Sequence, residues 1–164
     1  MILHNPSIAS MRDNEGFTPP LRAALSSRLS VCRHIFLEAP ESINLCDLKG
    51  RTILHHFVHY DTSIEIYGNT TLDSLNFLWD SISGLDALRA AQDLDGYTPL
   101  HYALKKGDIN MAKFLVNRCV KAQVRVELTL IDNEGNSILK LLELHPNSSA
   151  HVGMVCNILS ECII

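Results

Sequence analysis

Two histidines have the spacing of metal ligands. His55 and His59 are four residues apart, and on a helix that spacing puts both imidazoles on one face, as in zinc-binding helices. A zinc site needs a third and a fourth ligand, and no glutamate accompanies the pair in the pattern of a metalloprotease. We therefore expect no metal at this pair.

Groups that catalyse reactions do not occur in recognisable patterns. The sequence has no Gly-x-Ser-x-Gly elbow, no phosphate-binding glycine loop and no Cys–His pair in a known context. Paired carboxylates such as Asp93 and Asp95 lie in repeating turns, and these turns lack the spacing and the distal glutamate of a calcium loop. We therefore expect a protein that is not an enzyme and that needs no cofactor.

The composition is that of a globular, slightly acidic protein. Of the 164 residues, 46% are hydrophobic and 20% are charged, and the formal net charge is −4. A protein that coats nucleic acid would carry the opposite charge, and no apolar run approaches the roughly 20 residues of a membrane span. The five cysteines are widely spaced, without a Cys-x-x-Cys pair. This pattern favours reduced thiols in the cytoplasm or the nucleus.

One six-residue pattern recurs four times. It consists of Asp, two variable residues, Gly, one variable residue and then Thr or Ser, and it begins at Asp13, Asp47, Asp93 and Asp132. Asp followed by Gly is typical of a turn, because the carboxylate accepts nearby N–H groups and glycine tolerates a positive φ. A short apolar segment, a break and a longer apolar-periodic segment follow each copy. Such units hide their apolar faces only by stacking.

The third copy shows how one unit is built. Thr98-Pro99 predicts a helix start, with a hydroxyl at the N-cap and proline at the first helical position. Gly107-Asp108 predicts the end of that helix and the start of the next. The apolar spacing within the helices predicts buried leucines across the units, at Leu54, Leu78, Leu100, Leu115 and Leu139.

These motifs resemble the ankyrin repeat family. The third copy continues as Thr98-Pro99-Leu100-His101-x-Ala103, the family signature; the second keeps Thr52, Leu54 and His55 but has Ile53 in place of proline. The first has Pro19-Pro20-Leu21 and the fourth has Ser137-Ile138-Leu139-Lys140. The resemblance covers about residues 5 to 164. It implies an all-α repeat solenoid of helix–turn–helix units joined by β-hairpin loops, in which His55 bonds to backbone and hydroxyl groups near its turn.

The pattern predicts one array over residues 1–164. Residues 1–12 are the tail of a preceding unit, and four units follow at 13–46, 47–92, 93–131 and 132–164. Insertions are expected at Asp61–Thr70 and Pro146–Ala150, and an extended hairpin at Val124–Leu130. The last helix ends on Ile163 and Ile164, although a terminal unit needs a polar outer face. We therefore expect a piece of a longer protein, whose further repeats or partner cover this edge.

The resemblance implies a protein-binding module that uses its concave face of turns and first helices. The turn-flanking positions predict a set of partner-binding residues with aromatic and basic side chains, the types that dominate binding energy: Phe17, Leu48, Arg51, Tyr60, Leu94, Tyr97, Lys105 and Lys106. The cations among them predict an acidic or phosphorylated protein segment as partner, although Lys105 and Lys106 also suit a solvated helix end.

Two alternatives stay open for the context of the module. Gly50–His56 and the long insertion after the helix are similar to the ankyrin region of fungal cell-cycle transcription factors. The array could equally be the regulatory arm of an enzyme whose catalytic domain lies elsewhere in the chain.

Overall fold

The computed structural model describes residues 5–26, 28–60, 70–122 and 130–144, and the regular structure of this part is helical. Two 3-10 helices span Pro6–Ser10 and Pro40–Asn44. The α-helices are α1 (Pro19–Leu25), α2 (Leu29–Glu38), α3 (Ile53–Tyr60), α4 (Thr70–Ser81), α5 (Leu85–Leu88), α6 (Pro99–Lys106), α7 (Ile109–Ala122) and α8 (Ile138–Leu144). An antiparallel bridge between Ile131 and Ser137 closes the fourth turn. The prediction of an all-α fold is confirmed.

The helix boundaries follow the local chemistry that the sequence predicts. At the start of α6, the Thr98 side chain accepts the N–H of His101, and Pro99 occupies the first helical position. Gly107 ends α6 with φ 75°, in the left-handed region that favours glycine. The Asp108 carboxylate then accepts the N–H of Met111 at 3.0 Å, which caps the first turn of α7.

The chain forms two compact bodies, Met1–Leu88 and Arg89–Ile164. In the N-terminal body, α1 packs against α2 and α3, and α2 packs against α4. Its core is apolar, with Leu21, Ile35, Phe36, Leu54 and Leu78 buried. Pro6–Ser10 and Pro40–Asn44 are both five-residue 3-10 helices that begin with proline.

In the C-terminal body, α6 packs against both α7 and α8. Buried leucines confirm the core prediction at Leu100 and Leu115, as they do at Leu54 and Leu78 in the other body. The side chain of Leu139 lies outside the described residues. So do nearly all of the predicted insertions and hairpin, at 61–69, 124–129 and 146–150, and the C-terminal edge at 155–164. Within the described ranges, no helix has the length and apolar character needed to span a membrane.

Candidate functional site

The four turns share one hydrogen-bonding scheme. In the third turn, Asp93 Oδ1 accepts the N–H groups of Asp95 at 3.0 Å and Tyr97 at 2.9 Å, and the N–H of Gly96 donates to the Asp93 carbonyl at 3.0 Å. The turns that begin at Asp13, Asp47 and Asp132 repeat these bonds within 0.1 Å. The repeated aspartate therefore rigidifies each turn.

In three of the four turns, the second carboxylate oxygen of the aspartate faces a residue nine positions further on, in the first helix. Arg22 Nε donates to Asp13 Oδ2 at 2.6 Å, and Tyr102 donates its hydroxyl proton to Asp93 Oδ2 at 2.7 Å. His56 Nε2 lies 3.2 Å from the corresponding oxygen of Asp47. This position is not among the site residues predicted from the sequence, although the constant interval between three of the aspartates and a polar residue marks it.

In the fourth repeat, the ninth residue after Asp132 is Leu141, which has no polar group to offer. The Asn136 side-chain amide instead donates to Asp132 Oδ2 at 3.0 Å. The turn carboxylate thus remains bonded, but to a closer residue.

Asp47 and Asp132 are stabilised as carboxylates by the bonds within their turns. Burial raises the pKa of Asp47, but the bonds from the Arg51 guanidinium and backbone lower it further, so its pKa lies below the ordinary 3.8. Burial also raises the pKa of Asp132, and the N–H groups and amide of Asn136 lower it below its ordinary value. Both side chains are therefore charged at neutral pH.

Leu48 and Leu94 are the predicted apolar site residues that are exposed to solvent. They occupy the same position in the second and third turns, directly after the aspartate, and their exposed fractions are 69% and 71%. Leu48 also lies over the preceding turn, because a Cβ added to Gly16 would collide with Leu48 Cγ. Lys106 is exposed at the end of α6.

Two predicted site residues of the N-terminal body make contacts within it. The guanidinium carbon of Arg22 lies 4.4 Å from the centre of the half-buried Phe17 ring. Arg51 pairs with Asp47, with its Nη2 2.7 Å from Asp47 Oδ2, and its side chain is only 13% exposed. The side chain of Tyr60, another predicted site residue of this body, lies outside the described residues.

Tyr97 is buried, contrary to the expectation that it points outward. Its exposed fraction is 7%, and its ring lies against the ring of Tyr102. Lys105 Nζ donates to the Tyr97 hydroxyl at 2.7 Å and lies 4.4 Å from the centre of the ring, a cation–π distance. The bond to Tyr97 raises the pKa of Lys105. The Tyr97 ring therefore packs against two residues of α6 in its own repeat, Tyr102 and Lys105.

The signature histidines have the structural role that the resemblance implies. The Thr52 backbone N–H donates to His55 Nδ1 at 3.0 Å, so this nitrogen is an acceptor, and the Thr52 hydroxyl 2.9 Å away donates to it as well. His101 and Thr98 make the same pair, with the hydroxyl 2.7 Å from Nδ1. The side chain of His59 is not among those described. In the described part of the chain, no group of three or more His, Cys, Asp or Glu side chains is arranged to hold a metal ion.

The first repeat lacks this pair. The position equivalent to His55 and His101 is occupied by Leu21, which is buried. The hydroxyl of Thr18 is consequently buried with no hydrogen-bond partner. The motif comparison shows the substitution, but only the packed structure shows that nothing replaces the lost bond.

Comparison with known proteins agrees with this repeat structure. The family model described as ankyrin repeats (3 copies) matches residues 21–127, well over half of the chain. The sequence pattern marks four copies of the turn, and the fourth begins after the matched region. No curated protein matches the chain significantly.

Proposed function

This chain belongs to the ankyrin repeat family, and we propose that it is a non-catalytic module that binds a partner protein on its turns and first helices. Ankyrin repeats generally mediate protein–protein interactions and are typically non-catalytic. The observation that carries the proposal is the exposure of Leu48 and Leu94 at the same position of two rigid turns. Polar residues would serve a purely structural turn equally well at that position.

The turns suit binding because they are already ordered. Each aspartate binds two N–H groups of its own turn, so little conformational entropy remains to be lost when a partner arrives. Full burial of an exposed leucine contributes about 1.5–3 kcal/mol. Each of these residues, presented by a fixed backbone, can therefore serve as an apolar anchor within its own body.

The contacts within the repeats change the expected chemistry of the surface. The cations that predict an acidic partner from the sequence are Arg51, Lys105 and Lys106. Arg51 pairs with Asp47, and Lys105 bonds to Tyr97. The charge of Arg51 is thus compensated by Asp47, and the exposed Lys105 already makes a contact within its repeat, which leaves the exposed leucines as the stronger part of the proposed surface.

Capture of the partner, followed by matched substitutions, tests the proposal. The full chain is used as bait in lysate from the source organism, the partner is identified by mass spectrometry, and its affinity is measured with purified proteins. The double variant Leu48→Ser/Leu94→Ser should lose affinity at least tenfold, the usual effect of removing hot-spot residues. The control variant Leu37→Ser/Phe77→Ser changes two exposed residues on the second helices α2 and α4 and should bind normally. Loss of binding only in the control would refute the proposed face.

We also propose a reducing compartment, the cytoplasm or the nucleus. The support is the wide spacing of the five cysteines, together with two free thiols in the described residues, Cys32 and Cys46. Imaging of the tagged protein tests this, and a secreted or vesicular pool would contradict it.

A further inference from the structure

Two neighbouring turns of the C-terminal body are bonded into one platform, which we call the joined turns (residues 92–96 and 131–135). The N–H of Asn133 donates to the Asp95 carbonyl at 3.0 Å, and its side-chain amide donates to the Leu94 carbonyl at 2.8 Å. The Gln92 amide donates both to the Gly96 carbonyl at 2.7 Å and to the Ile131 carbonyl at 2.9 Å. The joined turns therefore present their side chains from a fixed backbone.

The joined turns carry an exposed apolar pair. Leu94 and Ile131 are the large hydrophobic side chains that are exposed among the described residues from Arg89 onward, and Ile131 has an exposed fraction of 56%. The other exposed large hydrophobic residues all lie in the N-terminal body. Both side chains extend from the backbone of the joined turns, so one platform presents two exposed apolar groups.

The charge around this pair is negative. The joined turns contain four carboxylates, at Asp93, Asp95, Asp132 and Glu134. Asp93 Oδ2 accepts the hydroxyl of Tyr102, and Asp132 Oδ2 accepts the amide of Asn136, so the donors described for these two oxygens are neutral.

The N-terminal body treats its turn aspartates differently. Asp13 is 2.6 Å from Arg22 Nε, and Asp47 is 2.7 Å from Arg51 Nη2, so each faces an arginine. Near the joined turns α6 carries two exposed cations, Lys105 and Lys106, and Lys105 bonds to the neutral Tyr97 hydroxyl. The bond to Tyr97 and the charges of Glu134 and Asp132 raise the pKa of Lys105, so these two lysines offset part of the negative charge of the four carboxylates. The two kinds of turn thus differ in net charge, although their backbone bonds are the same.

We propose that the joined turns dock a short basic and apolar segment of another protein, which places an apolar side chain on Leu94 and Ile131 and a lysine or arginine beside Asp95 and Glu134. The inference rests on the proposed function and specifies the partner's chemistry. Charge complementarity selects this occupant, because like charges facing one another across an interface are unfavourable. It reverses the acidic partner expected from the sequence.

Peptide selection on the full chain tests this chemistry directly. A random peptide library is displayed and panned against the immobilised 164-residue protein, and the strongest peptide is synthesised for fluorescence anisotropy. The selected peptides should be enriched in Lys or Arg together with apolar residues. Raising the salt concentration should weaken binding, because screening shortens the range of the attraction.

Variants of the exposed residues then locate the peptide. Leu94→Ser and Ile131→Ser should each weaken binding about tenfold, while Leu94→Met should bind within about twofold of the unchanged protein. Asp95→Asn/Glu134→Gln should weaken binding and flatten its salt dependence. Leu37→Ser/Phe77→Ser, the control variant on the second helices of the other body, should leave the affinity for this peptide unchanged. Thermal unfolding of each variant verifies that these surface changes leave the fold intact.

The outcomes separate the two proposals. Selection of acidic peptides, or full binding by Leu94→Ser and Ile131→Ser, overturns this inference. If this inference fails but the selected peptides lose affinity when Leu48 or another turn residue is changed, the proposed function survives. If the peptides respond to Leu37→Ser/Phe77→Ser on the second helices and to no turn variant, both proposals are wrong.

Discussion

Replacing Thr18 by valine should leave the protein as stable as before or more stable, whereas the same change at Thr52 should destabilise it. The two threonines occupy equivalent positions before α1 and α3. Thr18 has a buried hydroxyl with no hydrogen-bond partner, since Leu21 stands where an imidazole stands in the second repeat. The Thr52 hydroxyl lies 2.9 Å from His55 Nδ1.

The magnitude follows from the state of each hydroxyl. A buried polar group without a partner costs about 1–3 kcal/mol, and valine has nearly the shape of threonine without the hydroxyl. We therefore expect Thr18→Val to raise the free energy of unfolding by about 1 kcal/mol. Thr52→Val removes a buried neutral hydrogen bond and leaves His55 Nδ1 less well satisfied, which should lower the free energy of unfolding by about 1–2 kcal/mol.

Urea unfolding measures this difference with one probe. Both threonines lie in the N-terminal body, which also contains Trp79, the one tryptophan of the chain. Its fluorescence gives the midpoint and the slope, and equal slopes would show that the substitutions changed stability and not the unfolded state. A loss of more than about 1 kcal/mol in Thr18→Val would refute the reasoning, because it would mean that the hydroxyl is satisfied in solution.

The C-terminal body offers three further measurements, followed by circular dichroism during urea unfolding. Gly135→Ala should lower the free energy of unfolding by about 1 kcal/mol, because the φ of Gly135 is positive. Gly96→Ala should lower it further, because the new Cβ would also lie 2.8 Å from the backbone nitrogen of Asn133. Equal losses would contradict the close approach of the two turns. Leu100→Ala should cost about 2–5 kcal/mol, and a cost under about 1 kcal/mol would show that the site is not a packed core. Burial lowers the pKa of His101 below 6.5, although hydrogen bonds to the backbone of Asn136 and Leu130 act in the opposite direction. On acidification the unfolded chain therefore takes up this proton before the folded protein does. The free energy of unfolding should consequently fall as the pH drops below 6.5. His101→Gln should show a shallower fall, and an identical pH dependence would exclude this contribution.

Local interactions explain why the repeat could be predicted from the sequence. The aspartate of each turn reaches N–H groups two and four residues away, and the Thr98–His101 pair spans three residues. Such bonds need little more than the residue types at the right interval, so the turns, the helix starts and the buried leucines follow from the pattern. Family membership follows from the same intervals.

Packing decided which turn-flanking residues are available to a partner. From the sequence alone, Leu94 and Tyr97 are equivalent surface candidates three residues apart. In the folded repeat Tyr97 is covered by Lys105 and Tyr102 from α6, whereas Leu94 remains in solvent. The spacing of residues does not determine whether a long side chain folds back onto its own helix.

Tertiary structure also decided which side chain each turn carboxylate faces. The type of residue nine positions after the aspartate, and the direction in which its side chain points, determine whether a carboxylate faces a guanidinium as Asp13 does or a phenol as Asp93 does. The sequence by itself determined the repeat, its turns and its helices, because those depend on contacts within a few residues. The exposed and charged surface depends on side chains from separate elements that meet only after the helices have packed.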